Sequence, residues 1–237
     1  IWLRNWLAAA GINQKSVGII TIPPPQMVAN MKVDNMEGYC VGEPWNGVAA
    51  MQNVGFTHIS TQDIWKNHPE KALVVNSSFA SDNREELKNV MKAIIEACKW
   101  LDNMGNRSKA ASWLTKPNYV NAPLQVIEAR LKGSYDLGCE LGVQKYKDDY
   151  MTFYNNGIVN MPKKSYAIWF MAQYVRFGYL KTDPDYKGIA EKLILDELYA
   201  EVAKEMGVPI QADMQAFKTT YDVQFDPNNA SAYLKVA

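Results

Sequence analysis

Four short apolar runs constrain this chain most, at residues 17–22, 39–41, 56–60 and 72–75. The first is β-branched and continuous, the composition of a strand buried on both faces, and Pro23, Pro24 and Pro25 stop it. The second, Tyr39-Cys40-Val41, lies between Gly38 and Gly42. Between the runs come helical patterns at 26–31 and from Trp45 to residue 52, and a brief turn opened by Thr61-Gln62-Asp63. Strands and helices that alternate with short links predict an α/β sheet of mainly parallel strands. The runs around Ile20, Cys40, Ile59 and Val74 are therefore expected to share one sheet flanked by helices. Ligands of such sheets sit outside the carboxyl ends of the strands, where Pro23 and Gly42 fall.

Beyond residue 76 the pattern turns helical. Asp82-x-x-Glu85 reads as a capping box, opening a long helix with Leu87, Val90, Met91, Ile94, Cys98 and Leu101 at helical spacing. Further helices are predicted at 107–114, 124–131, 162–177 and 186–206, the last closed by Gly207 and Pro209. Residues 132–160, rich in Gly, Tyr and Asp, read as loops, and the tail from 211 as a surface segment. At the other end, Ile1, Trp2, Leu3, Trp6 and Leu7 form a helical face that stops at Gly11. The division expected is an α/β lobe with a parallel-type sheet over 1–76 and a mainly helical portion over 77–237, returning to the other lobe and ending in the surface tail.

Charge narrows the partners. Twenty-five basic residues balance 25 acidic ones, so nothing points to nucleic acid or to an acidic membrane surface. No apolar run approaches the ~20 residues of a membrane span. The chain opens at Ile1 in what reads as the middle of a helix, as expected of a mature or truncated piece. Cys40, Cys98 and Cys139 have no metal-binding or CxxC spacing and lie among apolar neighbours, which predicts reduced, mostly buried thiols.

The chemistry concentrates in two places. After Val41, Gly42 lets a ligand come close to the backbone, and Glu43-Pro44 opens a helix at Trp45 with Pro44 in its first position. The free N–H groups of that helix start suit an anion, with Trp45 as a wall; an ordinary strand-to-helix turn with a core tryptophan fits the same residues. The second place is His68-Pro69-Glu70-Lys71, where Lys71 reads either as a mobile charge entering a cleft or as a solvated surface lysine. His58 and His68 lack the surroundings of a catalytic triad and the spacing of a zinc pair. Neither GxGxxG nor a P-loop occurs. The aromatic stripe Tyr166, Trp169, Phe170, Tyr174 and Phe177 reads as packing.

Three motifs, in order, carry a resemblance: Ile22-Pro-Pro-Pro-Gln-Met-Val-Ala-Asn-Met-Lys32, Gly38-Tyr-Cys-Val-Gly-Glu-Pro-Trp-Asn46 and His68-Pro-Glu-Lys71. Together with Leu73-Val-Val-Asn76, the helix from Asp82, and the ending Phe225-Asp-Pro227 and Tyr233-Leu234, they resemble the nitrate- and bicarbonate-binding periplasmic proteins of ABC importers, the nitrate type above all. The resemblance implies a periplasmic-binding-protein-like fold of type II, of which this chain looks like the second lobe plus C-terminal helices, the first lobe largely missing. It implies a small inorganic anion, nitrate or nitrite, held in an interlobe cleft by the Gly42 backbone and the Lys71 charge, with Glu43 and Trp45 beside them. ABC permease subunits would be the partner, the location periplasmic, with a lipid anchor on the N-terminal side. No enzyme activity, no catalytic residue, no resident metal and no cofactor are implied, apart from calcium if the ligand is bicarbonate, with Glu43 or Glu70 as its ligand. Cytoplasmic nitrate sensors and a thiamine-precursor synthase share the resemblance as alternatives.

Overall fold

A computed structural model describes residues 1–147 and 151–234. Helices make up nearly all of its regular structure. They are α1 (Trp2–Ala9), α2 (Met27–Lys32), α3 (Trp45–Met51), α4 (Thr61–Ile64), α5 (Ser77–Asp82), α6 (Arg84–Asp102), α7 (Met104–Leu114) and α8 (Leu124–Leu131). After the antiparallel hairpin β1 (Ser134–Asp136) and β2 (Val143–Lys145) come α9 (Lys164–Arg176), α10 (Tyr186–Leu193) and α11 (Asp196–Met206). A second small antiparallel pair, β3 (Phe217–Lys218) and β4 (Gln224–Phe225), precedes α12 (Ala230–Tyr233).

The single sheet expected over the first 76 residues is not formed among the described residues. All four runs lack regular secondary structure and have no strand partner. Several of their apolar side chains stand in the open: Ile20 is 64% exposed, Phe56 55%, Leu73 49% and Val74 83%. The third run reaches sheet material through one backbone bond, from Thr57 N–H to Leu137 O at 2.7 Å, just past β1. A strand exists only when its hydrogen-bonding groups meet another strand, and apolar composition states a readiness for that pairing without supplying it.

Helices, by contrast, satisfy their backbone locally and fall close to where periodicity puts them. Three differences have local causes. Asn83, not Asp82, sits at the start of α6 without a side-chain cap, because Asp82 ends the preceding helix α5. The single helix expected over 186–206 is two, since Ile194 adopts extended backbone and Asp196 and Glu197 begin a new first turn at α11. Residues 132–160 are not all loop: they hold the β1–β2 hairpin.

Among the described residues, packing follows three apolar clusters. The first joins Trp65, Ile168, Trp169, Met171, Ala172 and Ala190 to Phe225, Ala230 and Tyr233, with Trp2 against it. The second joins α2, α3, α7 and α8 through Val28, Val48, Ala49, Ala111, Val126 and Ile127. The third seats Ile95 of α6 on Tyr199, Val202 and Ala203 of α11.

The tail is therefore not a surface segment. Phe225 is fully buried, its ring 5.2 Å from that of Tyr233 and 5.4 Å from that of Phe217. Asp213 ties the tail to the start of α9, its carboxylate accepting from the N–H of Lys164 at 2.7 Å and from the Ser165 hydroxyl at 2.5 Å. At the other end of the chain, the buried Asn5 of α1 donates to Thr220 Oγ1 at 2.9 Å and Trp6 donates to the Tyr221 hydroxyl at 3.0 Å. Absent periodicity conceals this burial because short aromatic-bearing turns bury side chains without repeating.

The cysteines are free thiols, as expected of their spacing, yet Cys40 and Cys139 are exposed and Cys98 is only partly covered. Cys40 sits on one of the unpaired extended runs, so the strand that would have buried it is not formed.

One charged network supports the α6–α11 contact. Glu205 accepts from Lys88 at 2.6 Å and pairs with Lys92 at 2.5 Å, while Arg84 pairs with Glu201. The hydrogen bonds from Lys88 and Lys92 hold the Glu205 carboxyl at about 2, below its ordinary 4.5. A carboxyl lowered in the fold stabilises it above its unfolded value and loses that contribution as the pH falls through the folded one. The difference in thermal midpoint between the parent and Glu205→Gln should thus shrink steadily from pH 4.5 down to 2. A midpoint difference that stays constant across that range would contradict the pairing.

Candidate functional site

The turn from Gly38 into α3 is built from its own short contacts. Residues 39–42 have no regular structure, Glu43 and Pro44 turn, and the Glu43–Pro44 peptide is cis. Pro44 lies one position earlier than expected, as the cap before α3, with its carbonyl accepting from Val48 N–H at 3.0 Å. The Tyr39 hydroxyl donates to Trp45 O at 3.2 Å, and burial, helped by the Glu43 charge, pushes that phenol up to about 12. Gly47, Val48, Ala49 and Ala50 are buried, which anchors α3 to the second cluster.

The four candidate residues fall into two kinds. Trp45 is half-buried and packs on the second cluster. Glu43 points inward, its Oε2 at 3.3 Å from Arg130 Nε. Burial raises the Glu43 carboxyl above its usual range, and the Arg130 charge, the Gly47 N–H and the Asn46 side chain work the other way. Gly42 is exposed, with open space where a Cβ would stand. Lys71 is exposed too: its side chain is 83% accessible and its ammonium pairs with neighbouring Glu70 at 2.9 Å. The first kind packs inward at the turn, and the second stands at the surface.

The loop that carries Lys71 is fixed at its histidine. His68 Nδ1 lies 3.0 Å from Pro69 O, a carbonyl that can only accept, so Nδ1 carries the proton. Nε2 is then the acceptor for the Thr61 hydroxyl at 2.7 Å. The ring packs 4.5 Å from that of Trp2, and burial lowers its pKa against the opposing pull of Pro69 O and Glu70. His68 is thus a neutral fastening between α1, α4 and the loop, while Lys71, three residues on, is left at the surface.

Two features carry no clear signal in the sequence. Arg130 is one, a last-turn arginine of α8 that reads as a solvated charge until α8 is placed beside α3. The other is a cavity of about 180 Å³ lined by Thr57, His58, Ser60, Asp63, Gln144 and Tyr146, among others. Asp63 there caps α4 reciprocally with Ser60 and accepts from the Tyr146 hydroxyl, so it joins the third run to the β1–β2 hairpin. Among the described residues, no three His, Cys, Asp or Glu side chains stand together as a metal site would require.

Comparison with known proteins places this geometry. Residues 1–115 match the NMT1-like family. The chain is 36% identical over 240 residues to the nitrate/nitrite binding protein NrtA of Synechococcus elongatus, covering 99% of this chain and 54% of that protein. It is 27% identical over 247 residues to the bicarbonate-binding protein CmpA of a Synechococcus strain, covering 99% of this chain and 55% of that protein. The crystal structure of the periplasmic nitrate-binding protein NrtA from Synechocystis PCC 6803 has the same fold with a TM-score of 0.92 at 33% identity, covering 99% of this chain and 62% of that one. The chain spans about half the length of the curated relatives it matches. Its fold class is that of the periplasmic binding proteins, of which it represents a helix-rich part, and the resemblance carried by the three motifs extends along nearly its whole length.

Proposed function

We infer that this chain, a relative of nitrate- and bicarbonate-binding proteins, belongs to the solute-binding component of an ABC importer and takes part in capturing a small oxyanion, nitrate or nitrite. The observation that carries this reading is the similarity over 99% of the chain to a nitrate/nitrite binding protein, with a matching fold. The anion is bound by the Gly42 backbone and the Lys71 ammonium, the two candidate groups that stand clear of packing. Glu43 and Trp45 hold the turn that presents Gly42. The component acts in the periplasm, on a lipid anchor, and hands its anion to permease subunits; it is a binding protein and not an enzyme.

The bicarbonate reading has a lower-identity relative behind it and would draw on a divalent cation at Glu43 or Glu70. Glu43 already faces the Arg130 guanidinium at 3.3 Å, and a second cation beside that charge would be repelled. Nitrate, a planar anion that needs donors and no metal, fits these residues better. Calorimetric titration of the intact protein with nitrate, nitrite and bicarbonate, with and without calcium, tests the reading. Saturable heat with nitrate or nitrite, independent of calcium, is expected. Binding of bicarbonate alone, dependent on calcium, would transfer the assignment to the second reading, and no binding of any of the three would overturn both.

A further inference from the structure

Arg130 is 3% exposed and leaves α8 toward three different parts of the molecule. Its Nε meets the Glu43 carboxylate at 3.3 Å, on the turn directly after Gly42. Its Nη2 donates to Asp136 O at 3.0 Å, at the end of β1. The guanidinium carbon lies over the Tyr135 ring, 4.3 Å from its centre. The Asp136 carboxylate in turn accepts from Gly138 N–H at 3.0 Å, closing the hairpin on itself. The path to Glu43 runs past α3 at Gly47, where a Cβ would stand 2.5 Å from Val126 Cγ1 and 2.9 Å from Arg130 Nε. A glycine at that point is what lets the guanidinium through.

We propose that Arg130 is a positioning residue for the anion-binding turn: it clamps Glu43 from α8 and the β1–β2 hairpin and so sets where Gly42 presents its backbone to the ligand. The inference rests on the anion-capture reading above. The ligand touches Gly42, and Arg130 acts on it through Glu43. A guanidinium suits the task because its planar fork serves a carboxylate, a carbonyl and an aromatic face together, which the single ammonium of a lysine cannot do. The pair is also costly to break from one side, since the remaining charge is left buried without its counter-charge.

Nitrate titration of the intact parent protein, Arg130→Gln, Arg130→Lys, Glu43→Gln and the double variant Glu43→Gln/Arg130→Gln, with a thermal midpoint for each, tests the proposal. Arg130→Gln alone should lose much of its midpoint, and the double variant should recover most of it by removing both charges. Nitrate affinity, measured well below each midpoint, should remain at least tenfold weaker in the double variant and in Arg130→Lys. A merely structural role would change the midpoint and leave the affinity of the folded fraction untouched, so affinities within tenfold of the parent would overturn the proposal. Should the arginine variants fail to fold, Glu43→Gln decides by the same criterion. A parent that binds no anion would overturn the reading beneath it, a result distinct from a parent that binds and variants that bind equally well.

Discussion

Phe225→Ala should destabilise the fold by about 3–5 kcal/mol, the range for removing a fully buried aromatic ring from a packed core. The ring has no exposure, and it stands within 5.4 Å of two other aromatic rings in a cluster that includes Trp65 and Trp169. Deletion removes that apolar surface from burial and leaves a cavity that α9 and α12 cannot fill without moving. A surface tail would have cost nothing comparable, because exposed substitutions away from special features stay within about 0.5 kcal/mol. Urea unfolding should therefore show a large drop in midpoint concentration with an unchanged slope. A change below about 0.5 kcal/mol would mean that residues 217–234 do not pack as described.

Lys71→Ala should weaken nitrate binding by roughly ten- to a hundred-fold, the equivalent of about 1.5–3 kcal/mol for a hydrogen bond from a charged donor. The thermal midpoint of the anion-free protein should hardly move. The Lys71 side chain is 83% exposed and its partner is the adjacent Glu70, an arrangement worth little to stability at the surface. Large loss of affinity with no loss of stability is the signature of a group kept for its ligand. Calorimetry on the variant beside the parent decides the matter, and equal affinity for nitrate would remove Lys71 from the site.

How much of the fold and of the site is legible in the sequence depends on how far apart the interacting groups lie. The starts and ends of α1, α3 and α9 are close to legible because capping, glycine and apolar spacing act within a few residues. The break at Ile194 carries a readable sign, the acidic pair Asp196-Glu197 that suits a fresh helix start. The runs at 17–22 and 72–75 read as strands and form none, because whether an apolar run joins a sheet is decided by other strands, which its own residues do not encode. The same distance hides Arg130, whose carboxylate partner Glu43 belongs to a remote part of the chain. Gly42, Glu43 and Lys71 stand out by motif as candidates, while the pairing of His68 with Thr61 and of Glu43 with Arg130 shows only in the contacts.

The hydrogen bond between Asn5 and Thr220 spans 215 residues. A ribosome adding roughly 5–20 residues per second leaves those two side chains apart for about 10–40 seconds. For that interval α1 has neither Thr220 and Tyr221 to bond nor the whole of the first cluster to cover Trp2. Local helices such as α6 and α7 are free to form meanwhile, and the closing of α1 onto Thr220 and Tyr221 comes after them. The first cluster cannot close until Phe225, Ala230 and Tyr233 have been made.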